Sequence, residues 1–166
     1  ASAESFFGSA TPDATPAGGD QAATGNNAPL DTQSEAEAAA LDAELRNIFF
    51  EEAQDILATF AAHLPRLHAA PNDQEELVAL RRGFHTIKGS GRMVGLHALG
   101  EAAWSVEQVL NHWLEKTLTA TPPLLDMLDS AADVFGAWIK QLEAGGGSQY
   151  DASELARRCA TLLAAT

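Results

Sequence analysis

Apolar residues recur at three-four spacing from Leu41 to Leu162, and nowhere in that span does the sequence alternate long enough for a half-buried strand. Such a chain can bury its apolar positions only by laying helix against helix, so the predicted fold class is all-α. The first helix is expected from about Glu35 to His63, with Leu41, Leu45, Ile48, Phe49, Ile56, Leu57 and Phe60 on one face. Pro65 should end or kink it, because proline lacks an amide donor and clashes with the preceding turn. A cap at Asn72 (with Glu75) or at Asp73 opens a second helix that runs to about Met93, where Gly95 closes it. The third is expected from His97 to about Thr117, with Leu99, Ala103, Val106, Leu110 and Trp113 inward. Thr121 followed by Pro122 starts the fourth, and the glycines at 145–147 stop it. Asp151 with Glu154 caps a short fifth helix carrying Leu155, Cys159 and Leu162. Short loops between long amphipathic helices make antiparallel neighbours, hence an up-down four-helix bundle with a short fifth C-terminal helix.

Residues 1–34 read differently. They are rich in Ala, Thr, Gly, Pro and Asn, and such a stretch buries too little surface to offset its ordering entropy. The expected organisation is a disordered, flexible N-terminal tail over 1–34 and one helical bundle over 35–166. Phe6 and Phe7 are the tail's only bulky feature, as a docking motif or the fringe of an upstream domain. The sequence opens without methionine or a signal pattern and reads as a piece of a longer protein.

Charge narrows the partners. With 23 acidic and 10 basic side chains the formal net charge is −13. That excludes a general nucleic-acid binder and an anionic membrane surface as the main partner. The lone Cys159 excludes an internal disulfide and a four-cysteine zinc site, and fits a reducing, cytoplasmic setting. No metal site is expected: His63 and His68 are five apart, and His97 with Glu101 is a lone pair. Repeated Glu-x-x-His motifs of a helical metallohydrolase are absent.

The second helix carries the unusual chemistry. On a helical wheel Leu77, Leu80, Phe84, Ile87, Gly91 and Val94 share the core face, and His85 lies roughly 135° from its centre. The outward stripe reads Arg81, Arg82, His85, Gly89 and Arg92, with Lys88 on its flank. Gly83, Gly89 and Gly91 together cost a few kcal/mol of helix propensity at roughly 1 each. The natural compensation is access: a glycine one turn above His85 lets another protein's backbone or a phosphate approach the imidazole. No acid lies between Arg81 and Arg92, so an acidic chain presents a local basic patch suited to an acidic partner and a phosphoryl group. The plainer alternative, a solvated polar face that happens to hold a histidine, explains neither the glycines nor the basic cluster. Trp113 reads as core, Trp104 as a half-buried rim or part of a partner face, and Trp138 as a residue near the bundle's edge.

The run Phe84-His-Thr-Ile-Lys-Gly-Ser-Gly-Arg-Met-Val-Gly-Leu96 resembles the signature of histidine phosphotransfer domains, particularly those of CheA-type chemosensory kinases and of the large kinases controlling type IV pili. The likeness covers about Leu41 to Leu142. It implies that His85 is phosphorylated at Nε2, that Lys88 contacts the phosphoryl oxygens, and that Gly89 clears room for the partner. It also implies that Glu107, on the third helix, hydrogen-bonds the other ring nitrogen. Glu107 sits about 80° off that helix's core face, a flank from which it can reach His85, whereas Glu101 points further outward and ranks second. Physical reasoning fits: an attacking imidazole must be neutral, and a carboxylate accepting from Nδ1–H leaves Nε2 free. Phosphoryl transfer needs positioning and charge neutralisation more than covalent activation.

The implied function is a phosphocarrier of a two-component or chemosensory relay, exchanging a phosphoryl group between His85 and a receiver-domain aspartate or accepting it from a kinase ATP-binding domain. Arg81, Arg82 and Arg92 would dock that partner. The chain has no glycine-rich phosphate loop or kinase ATP-lid motif, so it is not expected to act as an enzyme alone. No cofactor is expected on this chain, and the magnesium such transfer needs belongs to the receiver. The alternative is a degenerate bundle used only for docking or dimerisation.

Overall fold

A computed structural model of the chain describes residues 28–146 and 150–166. Five helices are present, as the periodicity predicts: α1 (Ala28–Ala69), α2 (Gln74–Met93), α3 (His97–Glu115), α4 (Pro122–Glu143) and α5 (Ser153–Ala164). No strand occurs among the described residues, and no described helix is long and apolar enough to cross a membrane.

Local chemistry sets the ends. Asp73 caps α2 by accepting from the Glu75 amide at 3.0 Å, and the Thr121 hydroxyl accepts from Leu124 at the start of α4, where Pro122 holds the first position. At the end of α2, Leu96 N–H donates to Gly91 and Gly95 N–H to Arg92, a Schellman closure with Gly95 at φ +82°. The same pattern ends α3, but there Thr117, a β-branched residue, occupies the left-handed position at φ 51°.

The core is built around stacked Phe60 and Phe84, 4.4 Å between centroids, with Phe135 edge-on to Phe84. Gly83 makes that stack possible: a Cβ there would lie 2.4 Å from the Phe60 ring. Helix α2 packs between α1 and α3, and α4 lies on α1's other side. Helices α3 and α4 barely touch, and α5 packs on both with Leu155, Cys159 and Leu162 buried. Burial pushes the Cys159 thiol up to about 11.

Four expectations change. Pro65 does not end α1, which continues to Ala69. Leu64 and Leu67 on either side are buried and hold the helix down, while Pro65 and Ala61, whose carbonyl loses its donor, face solvent. Helix α1 also begins at Ala28, inside the stretch read as tail; Phe6 and Phe7 lie outside the described residues. Leu41, Leu45 and Ile48 are exposed rather than core, because α1 overshoots its neighbours. Trp138 is fully buried and stacks on Tyr150 instead of lying at an edge.

Candidate functional site

Helix α2 turns His85 outward, leaving its side chain 63% exposed, and α3 brings Glu107 up behind it. Nδ1 of His85 lies 2.6 Å from Oε1 of Glu107. The other carboxylate oxygen, Oε2, faces the Lys88 ammonium, with Nζ also at 2.6 Å. That contact is an ion pair rather than a directional hydrogen bond, since Oε2 has no partner at hydrogen-bonding angles. Glu107 is 6% exposed, the one charged side chain buried among the described residues. Burial alone would raise its carboxyl; the contacts from Lys88 and His85, with the Lys88 charge beside them, outweigh that and hold it below the usual value. Glu107 is therefore a carboxylate at neutral pH. A neutral His85 donating Nδ1–H to it keeps an unprotonated Nε2, to which no described residue bonds, on the exposed edge of the ring.

The remaining residues of the expected stripe divide into two groups. Arg82 is exposed and Arg81 half-buried, neither with a carboxylate partner among the described residues. Lys88 and Arg92 are engaged: Lys88 folds inward onto Glu107, and Arg92 donates to Glu101 at 3.1 Å. Glu101 is thus committed to Arg92 rather than to His85. The basic patch counted along α2 alone is partly neutralised by acids that α3 delivers, which spacing within one helix does not reveal.

The glycines have distinct reasons. A Cβ at Gly89 would meet nothing within 4 Å, so the bundle itself does not require glycine there. Gly91 is buried against Phe49 and Leu99, and Gly83 under Phe60. Gly100 on α3 was not singled out in the sequence, yet a Cβ there would lie 3.2 Å from the Lys88 carbonyl and 2.7 Å from Arg92 Cγ. Its absence of a side chain lets α3 approach α2 two turns before Glu107. The available signal was a glycine inside an otherwise strong helical pattern. His63 and His68, weighed as metal ligands, pair with Glu76 and Asp129 and tie α1 to α2 and α4.

Comparison with known proteins agrees with this geometry. The Hpt domain family matches residues 44–145. The chemotaxis protein CheA of Treponema pallidum is 26% identical over 123 residues, covering 74% of this chain and 15% of that protein. CheA of Borreliella burgdorferi is 30% identical over 91 residues, 55% of this chain and 10% of that protein. The chain thus spans a small part of these relatives. Among solved structures, the phosphorylated P1 domain of CheA3 in complex with CheY6 from R. sphaeroides superposes with a TM-score of 0.66 at 20% identity, covering 74% of this chain and 97% of that one. The CheA phosphotransferase domain from Thermotoga maritima gives 0.56 at 22% identity, covering 60% and 94%. A bundle that sets an outward histidine on one helix against a buried carboxylate on the next, matched over most of its length, belongs to the Hpt family of histidine phosphotransfer domains.

Proposed function

We propose that His85 is the phosphoacceptor of this domain and that Nε2 is the atom that carries the phosphoryl group. The observation behind this is the hydrogen bond between Nδ1 and Glu107 beneath an exposed ring edge. In the forward step the Nε2 lone pair forms the N–P bond. The bond from phosphorus to its leaving oxygen breaks, either to a receiver's aspartyl carboxylate or to the ADP held by a kinase ATP-binding domain. Glu107 keeps the Nδ1 proton and offsets the positive charge that develops on the ring. Lys88, already beside the ring through its shared carboxylate, swings toward the phosphoryl oxygens as their charge arrives. Gly89 leaves the approach open, and Arg81 and Arg82, with a smaller part for the paired Arg92, meet an acidic partner face.

The magnesium ion and its acidic cluster would come from the receiver, and the carrier would work in the cytoplasm as one domain of a chemosensory kinase, with a type IV pilus system as the specific setting suggested by the motif. Incubation with phosphorylated receivers tests the acceptor. Wild type should gain an acid-labile phosphoryl group, and His85→Gln should gain none while staying folded, losing no more than about 2 kcal/mol, the worth of a hydrogen bond to the Glu107 carboxylate. Undiminished phosphorylation of His85→Gln would remove His85 from this role.

A further inference from the structure

Helix α1 is far longer than the bundle needs. Its first buried residue among the described side chains is Phe49, and every residue from 32 to 48 is exposed, so about 25 Å of helix lies outside the core. This overhang is not uniformly polar. Leu41, Leu45 and Ile48 are 56%, 43% and 53% exposed and share one stripe by their four-three spacing. The stripe begins where α2 stops. Below it, Glu52 receives a hydrogen bond from Ser90, and Phe49 lies over Gly91 near the end of α2. The side of α1 that α2 covers within the bundle is thus bare above Gly95, and there the apolar residues sit. A helix laid along them would continue the line of α2.

Charge selects the occupant. Glu35, Glu37, Asp42, Glu44 and Glu51 flank the stripe, and Arg46 is the only base in the overhang. A second copy packed there, parallel or antiparallel, would set these acids against one another. Residues 1–27 carry Glu4, Asp13 and Asp20 and no Lys or Arg, so they are no better matched. An anionic membrane is repelled for the same reason. We propose that the overhang of α1 is a docking site for an amphipathic helix of a separate protein whose apolar face is flanked by Lys and Arg. Leu41, Leu45 and Ile48 supply the apolar contact, and the flanking acids supply selectivity. The stripe lies beyond the end of α2, about two turns past His85, so it would recruit a partner without occupying the phosphoacceptor.

The probe is a labelled synthetic helix of six turns with Leu at heptad spacing and Lys and Arg at the flanking positions, titrated into the full chain. Saturable binding is expected, weakened at least about tenfold in the Leu41→Asn/Leu45→Asn/Ile48→Asn variant. That variant should melt like wild type, because all three positions are outside the core. Two control peptides accompany it, one with Ala at the apolar positions and one with Glu at the flanks, and neither should bind. Equal binding of the basic peptide to the triple variant, or of either control peptide to wild type, would overturn the proposal. So would concentration-dependent dimerisation in sedimentation that the triple variant abolishes, because the occupant would then be a second copy. Binding of anionic vesicles that the triple variant loses would overturn it equally.

Discussion

Replacing Glu107 by Gln keeps the shape of the side chain and removes one charge from a site where two groups share two oxygens. The carboxylate serves His85 Nδ1 through one oxygen and Lys88 Nζ through the other, both at 2.6 Å. An amide has one oxygen for these two neighbours. If it faces the ammonium, as charge prefers, the NH2 group points at Nδ1 and drives the ring to the Nε2–H tautomer, which has no lone pair for attack. If it faces Nδ1, the NH2 group meets the ammonium and Lys88 must turn to solvent. Either way the arrangement of neutral ring, free Nε2 and adjacent cation is lost. Transfer should fall about 100-fold or more, at least the scale on which losing the group that orients a histidine acts elsewhere. Stability should fall less, by about 2 kcal/mol, the worth of hydrogen bonds to a charged group, because Lys88 can recover water. The loss should also depend on pH. The Glu107 carboxyl is held below its ordinary 4.5 in the fold, so its ionised form contributes stability above that value. The contribution disappears as pH falls through the folded value, and the gap to Glu107→Gln should close in acid. Nitrogen NMR of the His85 ring and urea melts at neutral and acid pH measure both effects. An unchanged tautomer with an unchanged transfer rate would refute the reasoning.

Two glycines on one helix should respond in opposite directions. Gly89→Ala should raise stability by about 1 kcal/mol in thermal melts, since nothing opposes the new Cβ, and Gly89→Glu should gain similarly while slowing transfer by filling the approach to His85. Gly83→Ala should instead lose about 1–3 kcal/mol in the same melts, because its Cβ would overlap the Phe60 ring in the core. Replacing Arg81 and Arg82 with Gln should lower the association rate with a receiver and flatten its salt dependence, read by stopped flow, with little change in transfer once bound. Thr117→Gly should raise the urea midpoint by an amount corresponding to about 1 kcal/mol, by relieving a β-branched residue of its left-handed conformation.

What the sequence displays, and what it hides, follows from the range of each interaction. Helix order, the Thr121–Pro122 start and the Gly95 stop are written in neighbouring residues, so local reading finds them. The histidine stripe is legible because one helix repeats every few residues. The partnership of Glu107 was reachable on a wheel only as a direction, since its contact with His85 depends on how closely α3 approaches α2. That approach rests on Gly100, whose significance lies in a neighbour's backbone. Pro65 misleads because breaking a helix is a local tendency, and burial of Leu64 and Leu67 overrides it. Leu41, Leu45 and Ile48 mislead for the converse reason: periodicity identifies an apolar face but not whether another element of the chain reaches far enough to cover it.

The pairing of Lys88 and Glu107 gives the site a further constraint. A lysine fully free in solvent could meet a phosphoryl group at any time, but its flexible stem would then lose entropy at the moment of transfer. A lysine bound too firmly would be withheld from it. Here the ammonium is largely buried against a carboxylate whose other oxygen already holds the His85 ring, the proposed attacking group. If transfer makes the ring more cationic, as proposed, Glu107 is drawn more strongly to His85 and needs Lys88 less. The arriving phosphoryl oxygens offer Lys88 a second anionic partner at the same moment. On the proposed mechanism the carboxylate would release the lysine in step with the charge the lysine neutralises, a small displacement for His85 and Lys88, which stand one turn apart on α2 over a single acid on α3.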